Sequence, residues 1–207
     1  MVSTTFEQQY WKQGILYVAG VDEAGRGPLA GPVVASAVVF HSDIHIHGID
    51  DSKKLTAKKR EELFPEIYAK AMSVGVGIIF PHEIDAINIL QATFKAMNIA
   101  ISGLTHTPQQ LLIDGNRFKE NGIPFLPIVH GDAISLSIAA ASVVAKVTRD
   151  RMMVEYDSQY PEYGFARHKG YGTREHRDAL RKYGLCEIHR KSFHLKSEQG
   201  YLFANYE

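Results

Sequence analysis

The sequence predicts an α/β domain with a five-stranded mixed sheet, helices on its faces and a small helical segment at the C-terminal end. Short apolar, β-branched runs alternate with longer stretches whose apolar residues recur with the helical period of about 3.6 residues. With 207 residues, of which 45% are hydrophobic, the chain is long enough to bury one core. Three of the apolar runs also end at acidic residues, which are costly to bury.

Three strands and one helix are expected in the first part of the chain. Residues 15–21 and 73–80 are apolar and rich in β-formers, and residues 32–40 follow two Gly-Pro turns. A helix is expected over roughly residues 57–70, between the second and third strands. Because the connections are short or contain only this helix, we expect an antiparallel meander.

Helices dominate the rest of the chain, with two strands between them. Helical periodicity predicts helices over residues 82–103, 133–156 and 173–183. Residues 110–114 and 123–129 are predicted strands that run parallel to the first strand. Two prolines in the last strand favour an edge position, because proline cannot donate to a neighbouring strand.

Acidic residues stand where three of these strands end. Asp22 and Glu23 follow the first strand, Asp114 ends the fourth, and Asp132 follows the fifth. Since the carboxyl ends of parallel strands meet at one edge of a sheet, these side chains are expected to converge. Converging carboxylates repel one another, and Mg²⁺ or Mn²⁺ removes that penalty. Two such ions about 4 Å apart can activate water and stabilise a leaving 3′ oxygen in phosphodiester hydrolysis.

Each acid also has an ordinary structural interpretation. Asp132 could cap the helix that follows it, Asp114 could belong to a plain turn, and Asp22 and Glu23 could be solvated. Adjacent strand residues point to opposite faces of a sheet. Asp22 and Glu23 therefore serve one metal site only if the strand kinks or if Glu23 contributes differently. The coincidence of three acidic strand ends favours the metal site.

The tripeptide Gly25-Arg26-Gly27 connects the first two strands and forms at least a tight turn. Glycines also let a backbone approach a substrate closely, and a ribose 2′-hydroxyl can donate to carbonyls and accept from amides. Arg26 could contact a phosphate or hold the loop, and the sequence leaves both open. Basic clusters around Lys53 and within residues 167–196 are typical of solvated helix faces, but they also attract phosphates.

Composition excludes several classes of protein. The formal net charge is zero, so overall charge does not indicate a nucleic-acid binder. The single cysteine, Cys186, excludes a disulfide within the chain and a cysteine-rich zinc site. The polar first ten residues lack an apolar signal core, and no run approaches 18 apolar residues. We therefore expect a cytoplasmic protein, monomeric and without membrane contact.

Seven motifs are spread from about residue 20 to residue 176: GVDEAGRGPLAGPV, DDSKKL, LIDGN, GD, SIAAAS, AKVTRD and HKGYGT. No single motif would be specific by itself. Together they resemble the bacterial type 2 ribonucleases H, the ribonuclease HII family. The resemblance implies a ribonuclease H-like catalytic domain over residues 1–184. Residues 185–207 are expected to form a short C-terminal helical tail segment that packs on it.

The resemblance also implies an activity. It implies metal-dependent cleavage of the RNA strand of RNA–DNA hybrids and incision 5′ of single ribonucleotides in duplex DNA, leaving 3′-hydroxyl and 5′-phosphate ends. These reactions serve ribonucleotide excision repair and RNA primer removal. By position it implies four catalytic, metal-binding acids, a ribose-sensing loop, a tyrosine that stacks on the following sugar, and a lysine near the substrate phosphates. These are Asp22, Glu23, Asp114 and Asp132; Gly25, Arg26 and Gly27; Tyr171; and Lys53.

The sequence leaves alternatives open for the role of the C-terminal tail and for the reaction. Residues 199–203 resemble the Q-x-x-L-F peptide that binds bacterial sliding clamps, through Gln199, Leu202 and Phe203. The favoured alternative is that Tyr201, Leu202 and Phe203 dock on the domain. A DNA nuclease of the same fold would need no ribonucleotide. A non-catalytic hybrid-binding module would not require the acids, and four matched acids argue against it.

Overall fold

The computed structural model describes residues 2–119, 121–193, 196–197 and 200–201. Five strands form one sheet in the order β3-β2-β1-β4-β5. In chain order the elements are α1 (Thr5–Trp11), β1 (Val18–Ala24), β2 (Val33–Val39), α2 (Ala57–Lys70), β3 (Ser73–Ile79), α3 (Pro81–Ser102), β4 (Gln110–Asp114), β5 (Phe125–Ile128), a 3₁₀-helix (Gly131–Ala133), α4 (Leu136–Gln159), α5 (Phe165–His168), α6 (Arg174–Tyr183), β6 (Lys196–Ser197) and β7 (Gly200–Tyr201).

The mixed sheet confirms the predicted fold class. β1, β2 and β3 form an antiparallel meander, whereas β4 pairs parallel to β1 and β5 parallel to β4. The first strand continues further than expected, because Glu23 and Ala24 still pair with β2. Pairing between β1 and β4 ends at Val21. Asp22 and Glu23 therefore lie in the part of β1 that no longer pairs with β4 but still pairs with β2.

Glycines on the strands let helices lie directly on both faces of the sheet. A Cβ atom at Gly20 of β1 would lie 2.1 Å from the carbonyl carbon of Ser137 in α4. On the opposite face, a Cβ atom at Gly77 of β3 would lie 2.0 Å from the carbonyl oxygen of Ala96 in α3. Real Cβ contacts are never this short, so only glycine permits these approaches. Helix α4 is therefore fixed against β1 at Gly20, two residues before Asp22.

Helix α1 is an element that the sequence did not predict, since it is short and polar. Its Glu7 is buried, and one carboxylate oxygen accepts hydrogen bonds from Ser135 Oγ at 2.6 Å, Ser137 N at 2.9 Å and Ser137 Oγ at 2.6 Å. A carboxylate at a helix N-terminus binds free backbone N–H groups and favours the helix dipole. Glu7 thus stabilises the start of α4, the helix on which the acidic strand ends pack.

Beyond Gly184 the structure differs from the expected helical segment. Residues 185–193 form turns and one bridge, between His189 and Ala30, and β6 and β7 pair as a short antiparallel ladder. Ile188 packs with buried residues of the main fold, so this part of the tail lies on the domain. Arg190 donates to the carbonyl of Gly25, and His189 bridges to Ala30, so contacts with the loop between β1 and β2 hold this segment in turns where a helix was expected. The predicted clamp residues Gln199, Leu202 and Phe203 lie outside the described residues.

Of the helices that the structure describes, none combines the length and hydrophobicity that a membrane span requires.

Replacing Glu7 by alanine should lower the free energy of unfolding by about 2–4 kcal/mol, because two buried hydroxyls and a backbone N–H lose a charged acceptor. Urea unfolding followed by circular dichroism measures the change. Glu155→Ala, at an exposed position of α4, is the matched control. A loss no larger than that of the control would show that Glu7 does not anchor α4.

Candidate active site

Three carboxylates meet at the carboxyl edge of the parallel strands. Oxygen atoms of Asp22 from β1, Asp114 from β4 and Asp132 from the 3₁₀-helix all lie within 4.8 Å of one another. Asp22 is only 4% exposed and Asp132 only 2%, while Asp114 is half-buried. The residues named from the sequence are thus brought together, and their all-oxygen donor set suits a hard divalent cation.

Burial and mutual repulsion act on this cluster. Burial, then the negative charges of Glu23 and Asp114, raise the pKa of Asp22 well above the usual range of an aspartate. Burial and the charge of Asp114 also raise the pKa of Asp132, although Lys53 opposes the shift. Both shifts mean that, in this environment, the ionised forms of Asp22 and Asp132 are less stable relative to the protonated forms than they are in water. A bound cation would relieve this penalty, so the cluster is a candidate metal site.

Asp132 is held by the turn after β5 and does not cap the long helix. The N-cap of α4 is Ser135, whose hydroxyl accepts from Ile138 N. The backbone N–H groups of Gly131 and Asp132 instead donate to Asp114 Oδ1, at 2.8 and 3.4 Å. Asp114 therefore fixes the turn that presents Asp132, and one of its oxygens is used for this purpose.

Glu23 lies beside the cluster without joining it. β1 stays paired as a strand through Ala24, so Glu23 points to the face opposite that of Asp22. Its carboxylate receives a hydrogen bond from Arg26 at 3.3 Å and lines a cleft that also contains Asp114. Burial raises the pKa of Glu23, although the Arg26 charge opposes the shift. The fourth acid thus reaches the same edge from the other face of the sheet.

Lys53 is placed at the open side of the acidic cluster. Its Nζ lies 3.2 Å from Asp132 Oδ2, and its side chain is 78% exposed. The lysine comes from the loop between β2 and α2, far along the chain from Asp132. It therefore contributes a solvent-accessible cation where a phosphate could approach.

Two buried arginines hold the loop between β1 and β2, and the sequence analysis missed both. Arg149 of α4 donates to the carbonyls of Pro32 at 2.9 Å, Ala30 at 3.1 Å and Lys169 at 3.0 Å. Gly25, at φ +96°, packs so closely on this side chain that a Cβ atom there would lie 2.2 Å from Arg149 Nε. The glycine at this position is therefore required both by the backbone and by the contact.

Arg190 holds the same loop from the C-terminal segment. It donates to the carbonyls of Gly25 at 2.6 Å, Arg26 at 3.0 Å and Gly31 at 3.0 Å. Burial lowers the pKa of Arg149 to about 10 and that of Arg190 to about 9. Both remain charged at neutral pH, and their planar forks suit several carbonyls at once. The sequence grouped Arg190 with surface basic residues, whereas the structure buries it.

Tyr171 stands next to this loop. Its side chain is 45% exposed, and a Cβ atom built on Gly27 would lie 3.7 Å from Tyr171 Cε1. Leu29 N donates to the carbonyl of Gly170 at 2.9 Å, which ties the two loops together. The structure thus places the predicted loop and the predicted tyrosine side by side, on a surface open to solvent.

Comparison with known proteins identifies the family. The model of the family described as Ribonuclease HII matches residues 19–196. The chain belongs to the ribonuclease HII family. It is 56% identical, over 189 residues, to the ribonuclease HII of Ruminiclostridium cellulolyticum, and the match covers 91% of this chain and 74% of that protein. Membership makes the chain a ribonuclease H, an endonuclease that hydrolyses phosphodiester bonds.

Solved structures share the fold of this ribonuclease H. The crystal structure of ribonuclease H2 from Pyrococcus horikoshii OT3 superposes with a TM-score of 0.71 at 29% identity, covering 85% of this chain and 93% of that one. Ribonuclease HII in the PCNA complex from Archaeoglobus fulgidus has a TM-score of 0.74 at 24% identity and covers 88% and 98% of the two chains. The sheet order and flanking helices are therefore those of this enzyme class.

The metal-free protein should lose stability as the pH rises from about 4. The raised pKa values mean that folded Asp22 and Asp132 hold protons that the unfolded chain has already released, so stability falls through that window. Asp22→Asn should remove part of the repulsion and raise the free energy of unfolding above pH 7 by about 1–3 kcal/mol. Urea titrations in EDTA between pH 4 and 8 measure this. Asp178→Asn, at an exposed pair with Arg181, is the control, and equal profiles for both variants would contradict the interpretation.

Arg190→Lys should destabilise the loop although it keeps the charge. A lysine is a single point of charge and cannot reproduce a fork that reaches three carbonyls. We expect a loss of about 2–4 kcal/mol in the free energy of unfolding, with incision reduced about tenfold. Arg174→Lys, whose native side chain is 92% exposed, is the control. Wild-type stability of Arg190→Lys would show that the carbonyl contacts are dispensable.

Proposed function

We propose that this ribonuclease H cleaves the RNA strand of RNA–DNA hybrids and incises 5′ of single ribonucleotides in duplex DNA. The products would carry 3′-hydroxyl and 5′-phosphate ends, as ribonucleotide excision repair and primer removal require. The observation that supports this most is the joint placement of the acidic cluster, the Gly25–Gly27 loop and Tyr171 at one accessible edge. Family membership supports the class of reaction.

Asp22, Asp114 and Asp132 would hold Mg²⁺ or Mn²⁺, with Glu23 contributing from the opposite face when substrate is bound. When bound, such ions would neutralise charge on the scissile phosphate and promote attack by water. The protein's own part is to hold the carboxylates together against their repulsion, which β1, β4 and the Asp114-braced turn accomplish. We propose that two ions are bound when the substrate is present.

Phosphate contacts would come from the two cations that border the cluster. Lys53 is bound to Asp132 but is mostly exposed, and Arg26 pairs with Glu23 while its side chain is 52% exposed. Each can reach a phosphate oxygen with little movement. Contacts of this kind position a duplex without reading its bases, so base preference should be weak.

The Gly25–Gly27 loop would detect the ribose. Arg190 already donates to the carbonyls of Gly25 and Arg26. Within the described residues, the backbone N–H groups of Arg26 and Gly27 have no acceptor from the protein. The loop is therefore held in a form that offers donors to a 2′-hydroxyl, the group that separates RNA from DNA. Tyr171, beside Gly27, would stack on the next sugar.

A tail contact with a sliding clamp stays a prediction, because Gln199, Leu202 and Phe203 lie outside the described residues. A relative from Archaeoglobus fulgidus has been solved in complex with PCNA, but at 24% identity that structure supports the fold alone. A cytoplasmic location and a monomeric state likewise stay predictions.

A duplex that carries one ribonucleotide tests the proposed function. Wild-type enzyme with Mg²⁺ or Mn²⁺ should cut 5′ of the ribonucleotide, and EDTA should stop the reaction. Asp22→Asn and Asp132→Asn should each lower the rate by about a thousandfold or more, since each removes a metal ligand. Asp178→Asn should retain wild-type activity.

The matched all-DNA duplex should stay intact, and gel mapping with end-group analysis locates every cut. Cleavage of the all-DNA duplex would favour a DNA nuclease. Near wild-type cutting by either metal-site variant would refute the assignment of the acids.

A further inference from the structure

We propose that His189 and His176 form a neutral hydrogen-bonded relay that positions Tyr171 toward the substrate. This inference rests on the role proposed above for Tyr171. Within the described residues, neither histidine ring hydrogen-bonds to Gly25, Arg26 or Gly27 or to the acidic cluster. Both would act through the backbone of Tyr171, so they are positioning residues.

The contacts of the two histidines fix one arrangement of their protons. Cys186 N lies 2.9 Å from His189 Nδ1, and Cys186 Sγ lies 3.0 Å from the same atom, whereas the Cys186 carbonyl is more distant at 3.3 Å. Because a backbone N–H can only donate, the shortest contact assigns the proton of a neutral His189 to Nε2. That atom is 3.0 Å from His176 Nε2, which must therefore accept. The proton of His176 then lies on Nδ1, which is 3.0 Å from the carbonyl oxygen of Tyr171. Every step has one donor and one acceptor.

Burial keeps both rings uncharged. His176 is fully buried and His189 is 2% exposed. Burial, followed by the charge of His168, lowers the pKa of His176 to about 4. Burial, followed by the charge of His176, lowers the pKa of His189 to about 4. A charged His176 would bring two N–H groups face to face at the contact between the two Nε2 atoms, and a charged His189 would turn an N–H on Nδ1 toward the N–H of Cys186. At neutral pH the relay is therefore intact, and it ends as a donor to Tyr171.

The relay holds one side of Tyr171 and His168 holds the other. Tyr171 N donates to the carbonyl of His168 at 2.9 Å, and the His168 ring stacks on His176 with centroids 4.6 Å apart. The ring of His168 is itself fixed, because Nδ1 accepts from Gly170 N and Nε2 contacts the carbonyl of Tyr163 at 2.8 Å. The backbone of Tyr171 is thus held at its N–H by His168 and at its carbonyl by His176 together with Thr173 N, which donates at 2.8 Å, while its ring stays partly exposed.

The relay also links the tyrosine to the ribose-sensing loop. His189 is followed directly by Arg190, which holds the carbonyls of Gly25 and Arg26. His189 further pairs with Ala30 at an isolated bridge. One short segment therefore sets the position of the loop through Arg190 and the position of Tyr171 through His189. The distance between the Gly25–Gly27 loop and Tyr171 would then correspond to the distance between the ribose and the sugar that follows it.

Two amide substitutions of His176 separate its two contacts. An asparagine amide can occupy the place of Nδ1 and still donate to Tyr171, whereas a glutamine amide reaches the place of Nε2 and contacts only His189. We expect His176→Gln to lower kcat/KM about tenfold at a ribose-to-deoxyribose junction and to weaken the preference for that junction over an all-ribose strand. His176→Asn should stay within about twofold of wild type. His41→Gln, at an exposed position, is the control.

A double-mutant cycle tests whether the effect passes through Tyr171. In a Tyr171→Ala background, which keeps the carbonyl but removes the ring, His176→Gln should cause no additional loss. An equal additional loss in that background, or equal losses for His176→Asn and His176→Gln, would overturn the relay. If Tyr171→Ala itself cuts as wild type, the proposed role of Tyr171 fails and the relay with it. If the wild-type enzyme does not cut at ribonucleotides, the proposed function itself fails. That result is distinct from a failure of the relay alone.

Should His176→Gln fail to fold, His189→Gln keeps a donor toward His176 while losing the acceptor for Cys186 N. It should then leave the junction preference unchanged. A loss of that preference in folded His189→Gln would count against the relay.

Discussion

Repulsion among the three carboxylates is the constraint around which this structure is built. Asp22, Asp114 and Asp132 are held close together although burial and mutual charge oppose their ionisation. Only rigid surroundings can maintain such a cluster. Two parallel strand ends supply two of the acids, and a turn braced by Asp114 supplies the third. The unfavourable charge that results is what a cation would relieve.

The packing around the cluster follows from that constraint. Gly20 lets α4 lie directly on β1, and Glu7 fixes the first turn of the same helix. Arg149, further along α4, then reaches the loop that follows β1. One helix thus connects the acidic edge to the loop beside it. A shift of α4 would disturb both, so the positions of the acidic cluster and of the Gly25–Gly27 loop are coupled through this helix.

The sequence predicted most of the sheet and the long helices, because apolar periodicity reports directly on burial. It also named the acids and the exposed Tyr171, whose motifs are local. It missed Glu7, Arg149 and the buried state of Arg190, because charged residues are ordinarily exposed and their partners here are backbone carbonyls or a distant helix end. No periodic pattern marks such contacts. The turns of residues 185–193 were missed for the same reason, since tertiary polar contacts shape them.

The hold of Arg190 on the loop has a consequence for how the enzyme matures. The sheet and all three clustered carboxylates come from the first two thirds of the chain, and they can be in place early in synthesis. The loop carbonyls of Gly25 and Gly31 acquire their guanidinium partner only when residue 190 has emerged. A nascent or truncated chain that lacks residue 190 would thus contain the acids without this support for the loop. Under the proposed function, discrimination between ribose and deoxyribose would then be acquired later in synthesis than the acidic cluster.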